Sequence, residues 1–173
     1  ASWLDDYALF MALETVNEGR AWWDWPEALA RRELQALTEA RRRHASECRF
    51  WNFVQWCFDV QCTELKAYCN ARDIAIMGDL PIFIAHHCAD CSARPDFYTL
   101  DEHFQPTVVT GVPPDELGPL GQRWGNPQYR WDKMADEGYA WWVARIQRMV
   151  HQVDAFRIDH FRGFAAYWEI PAS

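Results

Sequence analysis

The sequence lacks the features that mark several large classes of protein. No run of apolar residues reaches the roughly 18 that a membrane-spanning helix requires. The formal net charge is −8, which argues against a nucleic-acid backbone or an anionic membrane surface as a partner. The sequence contains no phosphate-binding loop, dinucleotide fingerprint, serine nucleophile elbow or metalloprotease motif. It also contains no internal repeat or low-complexity tract.

The composition is that of a folded protein with an excess of aromatic residues. The 173 residues are enough for one ordinary domain, and 50% of them are hydrophobic. Aromatic residues make up 16%, including 11 tryptophans, which serve as core or as flat platforms for sugar rings. The six cysteines show no regular disulfide spacing. We therefore expect reduced, mostly buried thiols in a cytoplasmic protein.

Both ends of the sequence suggest a piece of a longer chain. It opens Ala1-Ser2-Trp3 without an initiator methionine or an apolar leader, and it stops at Ala172-Ser173 without a terminating signal. We therefore expect the chain to be a fragment.

Periodicity and turn residues predict alternating helices and strands. Four helices are expected: from Trp3 to about Glu14, from Pro26 to about Ala36, from about Ser46 to Ala71, and from about Gly138 onward. Ser2 is expected to cap the first of them. Buried strands are expected at residues 74–77 and from Ala155, and residues 82–85 should continue extended. Proline and glycine predict that residues 86–132 form a long irregular excursion, which in a compact domain tends to be functional.

This order predicts an α/β fold with a parallel sheet. Both strands end in carboxylates, Asp79 and Asp159, and in β/α barrels the carboxyl ends of strands carry the chemistry. Two strands cannot close a barrel. We therefore expect about two strand–helix units of an incomplete barrel, with residues 1–173 as one partial domain and residues 86–132 as its active-site loop.

The segment from Asp154 to Gly163 carries the strongest chemical signal. Arg157 and Asp159 stand two residues apart on a strand and so share a face. An oriented carboxylate held ionised by a guanidinium suits a nucleophile in covalent sugar chemistry. The alternative is a structural ion pair. Asp79 could hold sugar hydroxyls, or it could be a turn aspartate before Pro81.

Two further segments could form sites. The cluster from His86 to Cys91 has the spacing of a zinc half-site, but a structural zinc site needs four ligands and no second paired cluster exists. We expect no metal there, and a redox role is weaker still. The loop from Gly111 to Pro127 combines turn formers with Asp, Gln, Trp and Asn, which bind sugar rings and their hydroxyls.

Four motifs together resemble one family closely. They are Gly78–Phe83, Gly111–Asp115, Gly121–Pro127 and Arg157–Gly163. They resemble the amylomaltases, the 4-α-glucanotransferases of glycoside hydrolase family 77, and the resemblance covers essentially the whole chain.

The resemblance implies part of a (β/α)₈ TIM barrel that moves α-1,4-glucan segments by a retaining double displacement, without a cofactor. It implies that Asp159 is the nucleophile and that Arg157 contacts it and keeps it charged. The substrate-binding residues it implies are Asp79, Asp115, Gln122, Trp124 and His160. The glutamate acid/base and a third aspartate are expected beyond Ser173, so the isolated chain should be inactive.

The chain departs from the family's pattern at five positions. Glu116 and Leu117 replace an aromatic pair, Cys62 and Ser92 stand where tryptophan is frequent, and Asp73 stands where glycine is usual. Each change should cost packing, stacking or turn quality. The alternative function is a glucan-binding module without catalysis.

Overall fold

The structure is a computed structural model that describes residues 2–116 and 118–173. The helices are α1 (Ser2–Val16), α2 (Glu27–Ala30), α3 (Leu34–Arg43), α4 (Ala45–Asn70), α5 (Ala89–Ala93), α6 (Trp131–Asp136) and α7 (Ala140–Gln152). The strands are β1 (Met77–Leu80), β2 (Val108–Val112), β3 (Gln122–Pro127), β4 (Ala155–Ile158) and β5 (Trp168–Pro171). Short 3₁₀ turns lie at Trp22–Asp24, Pro95–Phe97 and Phe161–Phe164.

Strands β1 and β4 form a parallel pair, which confirms the predicted α/β class. Their register sets Gly78 beside Phe156 and Asp79 beside Arg157. Helix α4 leads into β1 and helix α7 leads into β4, and the two helices contact each other. The chain thus supplies two helix–strand units arranged as the order of elements predicts.

The prediction that residues 86–132 are irregular is wrong. This segment contains α5 and the β2–β3 hairpin, and β2 also pairs with β5 to give a three-stranded antiparallel sheet in the order β3-β2-β5. Strand β5 was not predicted. Proline and glycine hide the strand pattern here, and the pairing of Val109 with Ile170 joins residues too distant in sequence for local periodicity to indicate.

Two other predictions need correction. The second helix is not continuous, because α2 ends at Ala30 and Arg32 adopts a left-handed φ of 57° before α3 begins. The Arg32 guanidinium instead reaches Asp6 of α1, Nη2 to Oδ1 at 2.6 Å. The first strand begins at Met77 rather than at residue 74. Helices α1, α4 and α7 and strand β4 confirm their predictions; the Ser2 side chain lies outside the described part of the structure.

The core is formed by α1, by the segment that follows β1, and by aromatic residues of α7 and of the chain around the β2–β3 hairpin. Its fully buried members include Trp22, Phe97 and Tyr98. The segment after β1 contributes Ile82, Phe83 and Ile84, which are 2%, 7% and 9% exposed. This segment is therefore part of the buried core rather than an exposed loop.

Other apolar faces are open. On α4, Phe50 and Tyr68 remain well exposed, and none of the helix's described side chains is fully buried. Met77 of β1 is 69% exposed, although this strand was expected to be buried. The burial of β1 alternates, with Met77 and Asp79 on its exposed face.

Three further features bear on the sequence predictions. All six cysteines are free, but only Cys91 is buried, so the expectation of mostly buried thiols is wrong. Asp73 has a φ of 56°, which favours glycine and agrees with the expected cost in turn quality. Among the helices of the described chain, none is both long and apolar enough to cross a membrane.

Candidate active site

Arg157 binds Asp79 across the two parallel strands. The register sets the two residues side by side, and the guanidinium donates twice, from Nε to Oδ1 at 3.1 Å and from Nη2 to Oδ2 at 2.6 Å. This hydrogen bonding lowers the pKa of Asp79 and raises the pKa of Arg157. Both side chains are more than half exposed, so the pair orients two charges more than it stabilises the fold.

Asp159 stands next to this pair, at the carboxyl end of β4. Its backbone N–H donates to the Leu80 carbonyl at 3.0 Å, which extends the pairing of the two strands. Its Oδ1 lies 3.5 Å from Arg157 Nη2. The predicted Arg157–Asp159 contact thus exists, but it is longer than the bidentate contact with Asp79. The Asp159 carboxylate is 61% exposed and remains open to a ligand.

The chain turns sharply immediately after Asp159. His160 adopts φ 49° and ψ 44°, a left-handed conformation that is uncommon for residues other than glycine. Gly163 N–H donates to the His160 carbonyl at 2.8 Å and closes the turn. A left-handed residue beside a candidate nucleophile is the kind of local strain that clusters at functional sites.

Three rings lie together beside this turn, and we call them the ring cluster: Phe83, Trp124 and His160. The Trp124 and His160 rings meet edge to face with centroids 5.0 Å apart. Phe83 lies 6.2 Å from Trp124 and 6.1 Å from His160. Trp124 is 39% exposed and offers part of its face to a ligand. Such a partly exposed indole suits a sugar ring.

The polar residues of the hairpin are arranged around its tip and along β3. Trp124 Nε1 donates to Gln122 Oε1 at 3.0 Å. Because the indole can only donate, this bond identifies the amide oxygen and leaves Gln122 Nε2 as the donor. Asp115 and Gly118 bond reciprocally: Asp115 N–H donates to the Gly118 carbonyl at 3.1 Å, and Gly118 N–H donates to Asp115 Oδ1 at 2.7 Å. A Cβ on Gly118 would lie 3.8 Å from both Asp115 Oδ1 and Gln122 Nε2. Asp115 and Gln122 thus border the same glycine.

The structure therefore joins the predicted residues in two groups. Asp79, Arg157 and Asp159 form a charged group at the strand ends. Trp124, His160 and Gln122 form an aromatic and amide group, which adjoins the first because His160 follows Asp159 directly. Asp115 shapes the hairpin tip. Glu116 is exposed in a bend there, whereas Leu117 lies outside the described residues.

One residue of this region was not among the predicted site residues. Phe83 is 7% exposed and contacts both other members of the ring cluster. An apolar residue in a short bent segment gives no periodic signal that separates support of a site from ordinary core. Its membership of the Gly78–Phe83 motif is the one hint in the sequence.

The His86–Cys91 cluster is engaged in structural contacts. His86 stacks on Trp23 with ring centroids 3.8 Å apart, and its Nε2 lies 2.8 Å from the Phe104 carbonyl. His87 Nδ1 accepts from the Trp22 backbone N–H at 3.2 Å. Within residues 2–116 and 118–173, no group of three or more His, Cys, Asp or Glu side chains is placed to hold a metal ion. The zinc alternative therefore gains no support.

Comparison with known families decides where the chain belongs. The family model of glycoside hydrolase family 77, described as 4-alpha-glucanotransferase, matches residues 1–173. The chain belongs to this family. The match confirms the resemblance seen in the four motifs.

The family 77 relatives agree over the whole chain. The chain is 51% identical over 173 residues to the 4-alpha-glucanotransferase of Thermus thermophilus, covering 100% of this chain and 35% of that protein. It is 41% identical over 172 residues to the chloroplastic/amyloplastic 4-alpha-glucanotransferase of Solanum tuberosum, covering 99% of this chain and 30% of that protein. It spans about a third of the length of these curated relatives.

A solved family 77 structure shares the fold. The amylomaltase from Streptococcus agalactiae in complex with acarbose superposes with a TM-score of 0.92 at 38% sequence identity. The superposition covers 98% of this chain and 34% of that one. The two helix–strand units and the three-stranded sheet are therefore a family fold, consistent with the predicted part of a barrel.

Proposed function

We propose that this chain forms part of the catalytic domain of a 4-α-glucanotransferase and supplies its nucleophile. The observation that carries the proposal is the placement of Asp159: an exposed carboxylate at a strand end, beside the Arg157 guanidinium and next to the ring cluster. A charged nucleophile next to an aromatic surface matches the needs of retaining sugar chemistry. Membership of family 77 supports the same activity.

In the proposed reaction, an Asp159 oxygen attacks the anomeric carbon of an α-1,4-glucan and the glycosidic C–O bond breaks. The departing 4-oxygen takes its proton from a general acid that these 173 residues do not provide. The 4-hydroxyl of an acceptor glucan then attacks the same carbon, the bond to Asp159 breaks, and the proton returns to the acid/base group. Two inversions give net retention.

The remaining predicted residues have binding roles in this proposal. Arg157, held in place by Asp79, keeps a positive charge beside the nucleophile. Trp124 and His160 would pack against sugar rings, and Gln122 would donate from Nε2 to a sugar oxygen. Asp115 would act at the hairpin tip. A site lined by aromatic rings and an amide favours an acceptor sugar over water. We further propose a cytoplasmic location, which the six free thiols support.

The test uses the full-length protein, meaning a polypeptide of the relatives' length that contains this chain. We expect Asp159→Asn to abolish maltotriose disproportionation and the covalent intermediate, while acarbose binding is largely retained. Asp132→Asn is the matched control, because Asp132 is a similarly exposed aspartate two residues from an arginine partner. Its activity should be unchanged.

Two outcomes would overturn the proposal. Turnover by Asp159→Asn would remove Asp159 from the nucleophile role. Glucan binding by the full-length protein without any transfer would instead favour the binding-module alternative. The 173 residues alone should show no transfer, because no general acid is supplied.

A further inference from the structure

The segment that follows β1 is fixed on both sides of Phe83. The Tyr129 hydroxyl donates to the Ile82 carbonyl at 2.6 Å, and both groups are buried. Asn126 Nδ2 donates to the Ile84 carbonyl at 2.7 Å. Because the carbonyls before and after Phe83 both accept hydrogen bonds, from Tyr129 and Asn126, the backbone of Phe83 has a defined position. Its ring direction follows from that position and from its packing.

The Phe83 ring is supported from behind by two tyrosines. Its centroid lies 6.1 Å from Tyr129 in a stacked arrangement and 5.5 Å from Tyr167 in an edge-to-face arrangement. Its other contacts are with Trp124 and His160. Phe83 therefore lies between the buried core and the two rings that are predicted to meet the substrate.

The turn after Asp159 packs closely on this segment. A Cβ on Gly163 would lie 2.8 Å from Ile82 Cδ1, 3.1 Å from His160 Cδ2 and 3.5 Å from Phe83 Cζ. There is consequently no room for a side chain between the turn and the segment below it. The strained backbone of His160 is held by this contact and by the ring cluster.

The same support reaches the hairpin amide. Trp124 touches Phe83 on one side and donates its indole N–H to Gln122 on the other. A rotation of the indole would break that bond and release the Gln122 amide. One buried ring thus contacts an indole and an imidazole and, through the indole, is linked to an amide; these groups come from β3 and from the turn after β4.

We propose that Phe83 is the positioning residue of the candidate active site, acting through Trp124 and His160 on the binding of the acceptor glucan. It does not touch the reacting atoms. Tilted aromatic pairs are favourable beyond their burial, and Phe83 makes two such contacts with site residues. Loss of its ring should therefore weaken acceptor binding by about tenfold.

The experiment compares Phe83→Leu with Phe10→Leu in the full-length protein. Phe10 is the matched control, because it is also 7% exposed but its ring contacts are with Trp25 and His87. Both variants lose similar buried area and should lose similar thermal stability. Hydrogen exchange of peptides covering residues 120–127 and 157–164 should accelerate in Phe83→Leu and stay unchanged in Phe10→Leu.

The kinetic readout rests on the proposed function, whereas the exchange readout does not. In transfer from maltotriose at a fixed concentration to glucose as a separate, varied acceptor, Phe83→Leu should raise the KM for glucose about tenfold with kcat nearly unchanged, and Phe10→Leu should change neither. Phe83→Leu added to Trp124→Ala should cost less than the sum of the two single changes, because part of the Phe83 effect passes through Trp124 and the rest through His160.

The possible outcomes separate the role of Phe83 from the proposed function. Unchanged exchange in Phe83→Leu, or strictly additive effects with Trp124→Ala, would refute the positioning role. A wild-type protein without transfer activity would refute the proposed function, and the exchange comparison would still decide the role of Phe83.

Discussion

Two buried tyrosines offer a direct test of the hydrogen bonding under the site. Tyr129 and Tyr98 are 3% and 2% exposed, and their rings lie 5.5 Å apart. The Tyr129 hydroxyl donates to the Ile82 carbonyl at 2.6 Å. The Tyr98 hydroxyl is buried without a hydrogen-bond partner in the described part of the chain. Burial raises the pKa of both phenols, so both stay protonated in any ordinary buffer.

Removal of each oxygen by substitution with phenylalanine should therefore have opposite effects. Tyr129→Phe loses a hydrogen bond worth about 0.5–1.5 kcal/mol and leaves the Ile82 carbonyl short of a donor. Arg145 Nη1 still lies 3.4 Å from that carbonyl, so the total loss should be about 1–2 kcal/mol. Tyr98→Phe removes an unsatisfied buried hydroxyl and should be neutral or stabilising by up to about 1 kcal/mol.

Urea denaturation of the chain, followed by tryptophan fluorescence, measures both changes. In urea, the m-value should stay unchanged. In thermal unfolding at this chain length, a loss of 1–2 kcal/mol corresponds to a fall in Tm of roughly 3–7 °C. Equal losses for the two variants would refute the reasoning, because packing and not hydrogen bonding would then explain both. A second check is Arg145→Met combined with Tyr129→Phe, which should cost more than the sum of the single changes since the carbonyl loses both donors.

Three further predictions concern the fold and its titrating groups. Gly111→Ala should destabilise the chain by about 1–3 kcal/mol, measured by urea denaturation, because its Cβ would clash with the Gln122 backbone carbonyl oxygen and would lie 2.5 Å from Ile170 Cδ1. Burial lowers the pKa of His86, so stability should fall as the pH drops below about 6.5, and His86→Gln should flatten that dependence. Burial raises the pKa of Cys88 to about 11 and raises that of Cys91 further; mass spectrometry should show both resisting iodoacetamide in the folded chain.

The elements that could be predicted from the sequence are those with a short-range pattern of apolar residues. Helices α1, α4 and α7 show apolar residues at helical spacing, and β4 alternates Phe156 and Ile158 with charged residues. The burial of those faces could not be predicted, because burial depends on which elements pack against them. Exposed Phe50 on α4 has an ordinary core pattern and little to pack on in this chain.

Elements defined by distant partners were the ones missed. Strand β5 is short and exists by its pairing with β2, where Gly111 meets Trp168. The break between α2 and α3 follows from a contact of Arg32 with α1 rather than from local preference. Of the seven predicted site residues, Asp79, Arg157 and Asp159 were indicated by their place at strand ends, and the family motifs implied specific roles for all seven. Phe83, which contacts two of them, lacks any polar chemistry that would mark it.

The partner of Arg157 shows why a site can be named from sequence while its contacts cannot. Spacing along a strand places Asp159 on the same face as Arg157, two residues or roughly 6–7 Å away along the strand. A neighbouring strand is only about 4.8 Å away, so a carboxylate in register there is the closer partner. The register of β1 against β4 makes Asp79 that residue, and this register depends on topology. Both nitrogens of the Arg157 guanidinium that face β1 are consequently bound to Asp79, which leaves Asp159 with one longer contact and an exposed carboxylate, as the proposed nucleophile role requires.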